Sequence, residues 1–244
     1  MFNETPRFGS QPPVATDKDH MSVLIAVDTS GSVEGDAIRN INANLNNFKR
    51  IVCEDPVAAK CVDVCVIAFD DKVRVIQDWC PIRDMQSFEL SCGGCTDLNG
   101  AVLTGIQKIR ERSREYVERG IVERKPYLIV MTDGFDTVTG SVDEAADLAY
   151  QRITGNKMKL WFLGFGPYDK ETASKLCRAN GNWCFEVKNG DFNFNDFFDF
   201  AANSVKAVSV SAPGQDVQVD TNVGTPQSNV AMTPLPTANA WLNG

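Results

Sequence analysis

The feature that most limits how this chain can fold is an alternation of short apolar runs with longer amphipathic stretches. The runs fall at residues 22–27, 62–69, 73–79, 127–132, 159–165 and 183–187. Several are apolar throughout, as strands covered on both faces should be. Between the first two, Ile38, Ile41, Leu45, Phe48 and Val52 recur at helical spacing and give that stretch one apolar side. Val102, Ile106, Ile109 and Tyr116 repeat the pattern, as do Phe194, Phe197, Phe198, Ala201, Val205 and Val208. Ser141 followed by Glu144 reads as a capping box opening a helix through Ala145, Leu148, Ala149 and Ile153. A shorter helix is expected around Ala173, Leu176 and Cys177. Strands separated by helices of crossover length predict an α/β fold, a doubly wound, mostly parallel six-stranded sheet with helices on both faces. Only Asp70, Asp71 and Lys72 separate the second and third runs. That is too short for a crossover, so one antiparallel strand should lie at an edge.

The length of 244 residues suits one large domain with appendages. Residues 1–20 read as a flexible arm, 21–208 as the domain, and 209–244 as a flexible tail without Lys or Arg. The net charge of −8 argues against nucleic acid as a partner, because such proteins concentrate basic residues on one face. The longest apolar runs fall far short of the roughly 20 residues of a spanning helix, so no membrane association is expected. The arm holds Pro6, Pro12 and Pro13 and lacks the apolar segment of a secretory leader, which predicts a cytoplasmic protein. In that setting the eight cysteines should stay reduced.

Polar residues suited to chemistry gather in three segments placed where α/β proteins bind ligands, beyond the carboxyl ends of strands. Asp28-Thr29-Ser30-Gly31-Ser32 follows the first strand and offers oxygens at alternate positions. Gly93-Gly94-Cys95-Thr96-Asp97 feeds a helix, and Thr132-Asp133-Gly134 ends another strand. The set supplies only oxygen ligands, which suits Mg²⁺ better than Zn²⁺, with Mn²⁺ or Ca²⁺ as alternatives. One helix cap would need one such residue; three at alternate positions, with Thr96 and Asp133 behind them, favour a metal.

The D-x-S-x-S string at Asp28, Ser30 and Ser32, the T-D-L element at Thr96 and the T-D-G element at Asp133 resemble the metal-ion-dependent adhesion site of von Willebrand factor A (VWA) domains. The resemblance spans about residues 20–208. It implies that Ser30, Ser32 and Thr96 coordinate the metal, with Asp28 and Asp133 acting through waters and hydrogen bonds. It also implies a partner protein whose acidic side chain completes the shell, in a non-enzymatic scaffold. Within the family the chain looks most like bacterial stand-alone members, the TerY-like proteins of tellurium-resistance and stress operons. Such a setting would make a kinase or phosphatase of the same operon the partner.

Two other functions compete. A Mg²⁺-dependent phosphohydrolase would use Asp28 as nucleophile, but such enzymes usually carry a second Asp where this chain has Ser30. A thiol redox sensor would use Cys92 and Cys95, the latter activated by a helix starting near Thr96. Structural thiols are the preferred reading of that pair, and zinc would need soft ligands that Cys80, Cys177 and Cys184 are poorly spaced to supply. The only histidine, His20, reads as a solvated terminal residue, which removes Ser-His-Asp and Cys-His catalysis. Arg110 to Arg114 reads as the solvated face of a helix. Asp70, Asp71, Asp136, Asp143 and Glu144 read as loop, turn or cap residues, with adjustment of the site's charge as the alternative role of Asp136 and the role of Asp97.

Overall fold

The computed structural model describes residues 8–14, 18–134, 136–179, 183–188, 192–211, 223 and 227–233. Its strands are β1 (His20–Asp28), β2 (Val62–Phe69), β3 (Val73–Pro81), β4 (Glu123–Thr132), β5 (Lys159–Gly164), β6 (Trp183–Val187) and β7 (Val230–Thr233). Its helices are α1 (Asp36–Val52), α2 (Ala58–Cys61), α3 (Leu98–Glu118), α4 (Asp143–Thr154), α5 (Lys170–Leu176) and α6 (Asn195–Val210). The sheet order is β3-β2-β1-β4-β5-β6-β7. β1 runs parallel to both β2 and β4, and the hairpin β2–β3 is antiparallel as its short connection requires.

Strand alternation sorts the side chains into two cores. Met21, Val23, Ile25 and Val27 of β1 join Ile41, Phe48, Phe197 and Phe198 on the α1/α6 face. Leu24 and Ala26 join Val102, Ile106, Ala145 and Ala149 on the α3/α4 face. Gly105 lets α3 approach the sheet closely, since a Cβ there would sit 2.9 Å from Leu128 Cδ1. No helix among the described residues is long and apolar enough to cross a membrane.

All six expected strands form, and a seventh joins them. β7 pairs antiparallel with β6, so both edges of the sheet are antiparallel. This places Val230–Thr233, with buried Val223 and Ser228, in the domain rather than in a flexible tail. The reason is long-range pairing: the edge of β6 offers hydrogen bonds that composition does not reveal. The expectation for the rest of 212–244 lies outside the described residues, as does that for 1–7 and 15–17. The described part of the arm is also held. Phe8 and Gln11 donate backbone hydrogen bonds to Ile76 and Trp79 of β3, at 2.8 and 2.6 Å.

Two further expectations are corrected at the end of the sheet opposite the candidate site. His20 is wholly buried, opening β1 rather than lying in solvent. Arg112 is equally buried, so the 110–114 run is not uniformly a solvated face. Arg112 donates to Asp63 Oδ2 through Nη2 at 2.7 Å, to Gln11 O at 2.9 Å and to Glu115 Oε2 at 2.6 Å. Tyr116 OH donates to the same Asp63 oxygen at 2.6 Å, and His20 Nδ1 lies 3.6 Å from it. Burial pushes the Asp63 carboxyl up, but His20, Arg112 and Tyr116 together outweigh it and hold the group below its ordinary value. The capping box does not form either: α4 opens after Val142, and Ser141 Oγ accepts from the N–H of Asp143 instead.

Candidate metal centre

The doubly wound order reverses direction between β1 and β4, and the crevice at that switch is where such sheets bind ligands. Asp28 is the last residue of β1 and Asp133 follows β4, so the two carboxylates arrive from neighbouring strand ends. Thr29 continues out of the sheet, its N–H bonded to Phe69 O at 2.8 Å. The following turn brings Ser30 and Ser32 round beside them. Asp28 Oδ1 accepts from the N–H of Ser30 at 2.8 Å. The hydroxyls of Ser30 and Ser32 lie 3.1 Å apart, and Ser32 Oγ donates to Asp133 Oδ1 at 2.9 Å. One chain of oxygens thus runs from Asp133 through Ser32 to Ser30.

Thr96 enters from the third segment. A Cβ on Gly134 would stand 3.9 Å from Thr96 Oγ1, which puts the hydroxyl over the turn that carries Asp133. Its N–H donates to Thr137 Oγ1 at 2.8 Å, and its carbonyl accepts from the N–H of Thr137 at 2.9 Å. The glycine loop before it is tied to the first segment: Gly31 donates to Gly94 O at 3.1 Å and Gly93 to Thr29 O at 2.9 Å. Gly94 has φ +80° and packs against the Asp71 carboxylate, a place and conformation that a side chain would not tolerate. The structure therefore brings Asp28, Ser30, Ser32 and Asp133 into one hydrogen-bonded group, with Thr96 at its margin.

Two residues outside the expected ligand set shape the site. Thr132 Oγ1 donates to Asp28 Oδ2 and accepts from the N–H of Gly134 at 3.1 Å, fixing both the carboxylate and the turn. Asp136, buried, accepts from the N–H of Asn99 at 2.8 Å and from Thr139 and Gly140, so it organises the loop beside Thr96. Thr132 stood in the T-D-G string; only its hydrogen bond to a residue 104 positions away gives it a role.

The electrostatics leave room for a cation. Asp28 is fully buried and Asp133 nearly so, and among the described residues neither is in an ion pair. Burial, with a smaller contribution from the Asp133 charge, lifts Asp28 to about 6 despite hydrogen bonds from Thr132 and Ser30. Burial likewise raises Asp133. Two buried carboxylates with hydroxyls beside them and no positive partner fit a hard divalent ion. No group of three or more His, Cys, Asp or Glu side chains suited to a metal occurs among the described residues, so the donors here would be mainly hydroxyls and this pair.

The cysteines of the glycine loop differ from what a reactive pair needs. Burial and the charges of Asp28, Glu34 and Asp133 push the half-buried Cys92 thiol up to about 12. α3 begins at Leu98 with Asp97 as its cap, so the helix starts beyond Cys95, whose N–H is bonded to Asp71 at 2.6 Å.

No protein family's sequence pattern matches this chain, and no curated protein is similar to it in sequence. Solved structures share its fold. The PilB minor pilin from Streptococcus sanguinis superposes with a TM-score of 0.59 at 11% identity, over 82% of this chain and 65% of that one. A von Willebrand factor type A protein from Catenulispora acidiphila gives 0.55 at 14% identity, over 77% and 43%. The ArnB paralog VWA2 from Sulfolobus acidocaldarius gives 0.52 at 13%, over 76% and 45%. The chain thus has the fold of VWA domains, and it spans less than two thirds of the length of these structures.

Proposed function

We propose that this chain is a divalent-metal-dependent protein-binding module whose site is built from Asp28, Ser30, Ser32, Thr96 and Asp133. The observation that carries the reading is the buried carboxylate pair at the sheet's switch point, linked through Ser30 and Ser32 and lacking a positive partner among the described residues. When bound, Mg²⁺ would supply the balancing charge and an open position for a carboxylate of the partner. Ser30 and Ser32 present hydroxyl oxygens from one turn, and Asp133 holds Ser32 in place. Thr132 and the N–H of Ser30 hold Asp28 from both sides. The VWA fold of the chain agrees with a module of this kind. Asp28 is fully buried and its carboxylate is engaged by two donors, which does not suit an attacking nucleophile.

The test is titration of Mg²⁺ into chelator-treated protein by calorimetry, with Ser30→Ala and Asp133→Ala alongside. Saturable binding, lost in both variants while their folds persist, is expected. Equal binding in wild type and variants would remove the site from the proposal. A partner recovered with Mg²⁺ and released by EDTA would then extend it to protein binding.

A further inference from the structure

Away from the metal centre, α3 and α4 lie side by side on one face of the sheet, and their outer surfaces leave a groove of about 650 Å³. Half-buried Leu103 and Leu148 give it apolar surface, over a floor that includes the fully buried Ile106. Arg110 and Arg114, one turn apart on α3, and Arg152 in the last turn of α4 gather toward one end, whereas Glu144 in the first turn of α4 lies toward the other. Among the described residues none of these three arginines is in an ion pair, and Arg152 Nε is buried without a hydrogen-bond partner. Burial and the neighbouring Arg110 both pull Arg152 below its ordinary value, and the Glu123 carboxylate offsets them only in part. Arg112, between the two α3 arginines in sequence, is by contrast fully engaged by Asp63 and Glu115.

Three arginines gathered outside any ion pair among the described residues, on a chain with 32 acidic residues and a net charge of −8, form a local exception to its electrostatics. Their planar forks match carboxylates in bidentate geometry. Two adjacent helices with apolar residues between them form a trough that accepts the apolar stripe of a third helix. From Leu103 to Arg114 the trough runs about 17 Å, or three helical turns. A small anion would satisfy the arginines and leave the exposed parts of Leu103 and Leu148 uncovered. We infer that the α3/α4 groove is a docking surface for an amphipathic helical segment of a partner protein, acidic at the end that meets Arg110, Arg114 and Arg152. The segment is neutral or basic where it meets Glu144.

The probe is a fluorescein-labelled peptide of about 15 residues, long enough to cover the trough as a helix. It carries leucines along one face, glutamates beside them in one half and a lysine in the other. Anisotropy is read in EDTA, so that the metal centre cannot contribute. Saturable binding is expected, weakened at least about tenfold by Arg110→Glu with Arg114→Glu and strongly reduced by high salt. Both positions are exposed, and thermal melts of the variant confirm its fold. Peptides with lysine for glutamate, or serine for leucine, should lose binding, and Asp133→Ala should leave it unchanged. The inference is overturned if the glutamate peptide does not bind. It is equally overturned if the double variant binds as wild type does, or if the serine peptide binds as well and inorganic phosphate displaces it. Since Asp133 does not line the groove, failure here and failure at the metal centre are read separately.

Discussion

Replacing Asp28 by Asn should stabilise the metal-free protein at neutral pH and destabilise it at low pH. The carboxyl is fully buried, and its pKa stands at about 6 against 3.8 when unperturbed. An acid whose folded pKa is raised binds its proton more tightly in the folded state, so wild type loses stability as pH rises from about 4 to about 6. About two pKa units at about 1.4 kcal/mol each put the loss near 3 kcal/mol once both states are ionised. Asn carries no such dependence. It gives up part of the hydrogen bonding from Thr132 and Ser30, about 1 kcal/mol at every pH. In EDTA, Asp28→Asn should therefore be about 1 kcal/mol less stable than wild type at pH 4 and about 2 kcal/mol more stable at pH 7. With a urea slope of about 2 kcal/mol/M, the midpoint difference moves from about −0.5 M to about +1 M. Saturating Mg²⁺ should reverse the order at pH 7, since 100 times the Kd adds about 2.7 kcal/mol to wild type alone. A variant less stable than wild type by the same amount at both pH values would refute the account of Asp28 as a buried, unbalanced charge.

Other outcomes follow from the same structure. Arg112→Ala leaves Asp63 buried without its main cation and should cost about 3–5 kcal/mol in urea unfolding. Because Asp63 is held below 3.8, its stabilising contribution should persist above that pH and fall away as pH drops through the lowered folded value, visible as acid destabilisation in wild type that Asp63→Asn lacks. Gly105→Ala drives a methyl against Leu128 and should lower stability by about 1–3 kcal/mol, read from thermal melts. In a timed thiol titration of the native protein, exposed Cys95 should react before half-buried Cys92, whose thiol is held near 12; mass mapping of the labelled peptides checks the order.

The comparison of sequence with structure is clearest in particular elements. The run 62–69 and its three-residue link to the next run were enough to foresee the β2–β3 hairpin, because loop length excludes a crossover. The alternation of Asp28, Ser30 and Ser32 was legible for the same local reason: a turn after a strand presents alternate residues to one side. Thr132 and Asp136 were less legible as site residues, since their roles lie in hydrogen bonds to residues 104 and 37 positions away. His20 looked like the end of an arm until Asp63, Arg112 and Tyr116, distant in sequence, closed around it.

By itself the sequence determined the βα alternation, the two covered faces of the sheet and the set of oxygen-bearing loops, because periodicity and loop length act within a few residues. The tertiary structure alone decided that β7 completes the edge of β6 and that an arginine at 112 is buried while those at 110 and 114 are not. It also decided that Arg110 and Arg114 meet Arg152 across a groove. Each of these depends on which distant surface a segment meets, and burial and pairing with distant groups fix the energy of a charge or an unpaired backbone group far more than its immediate neighbours do.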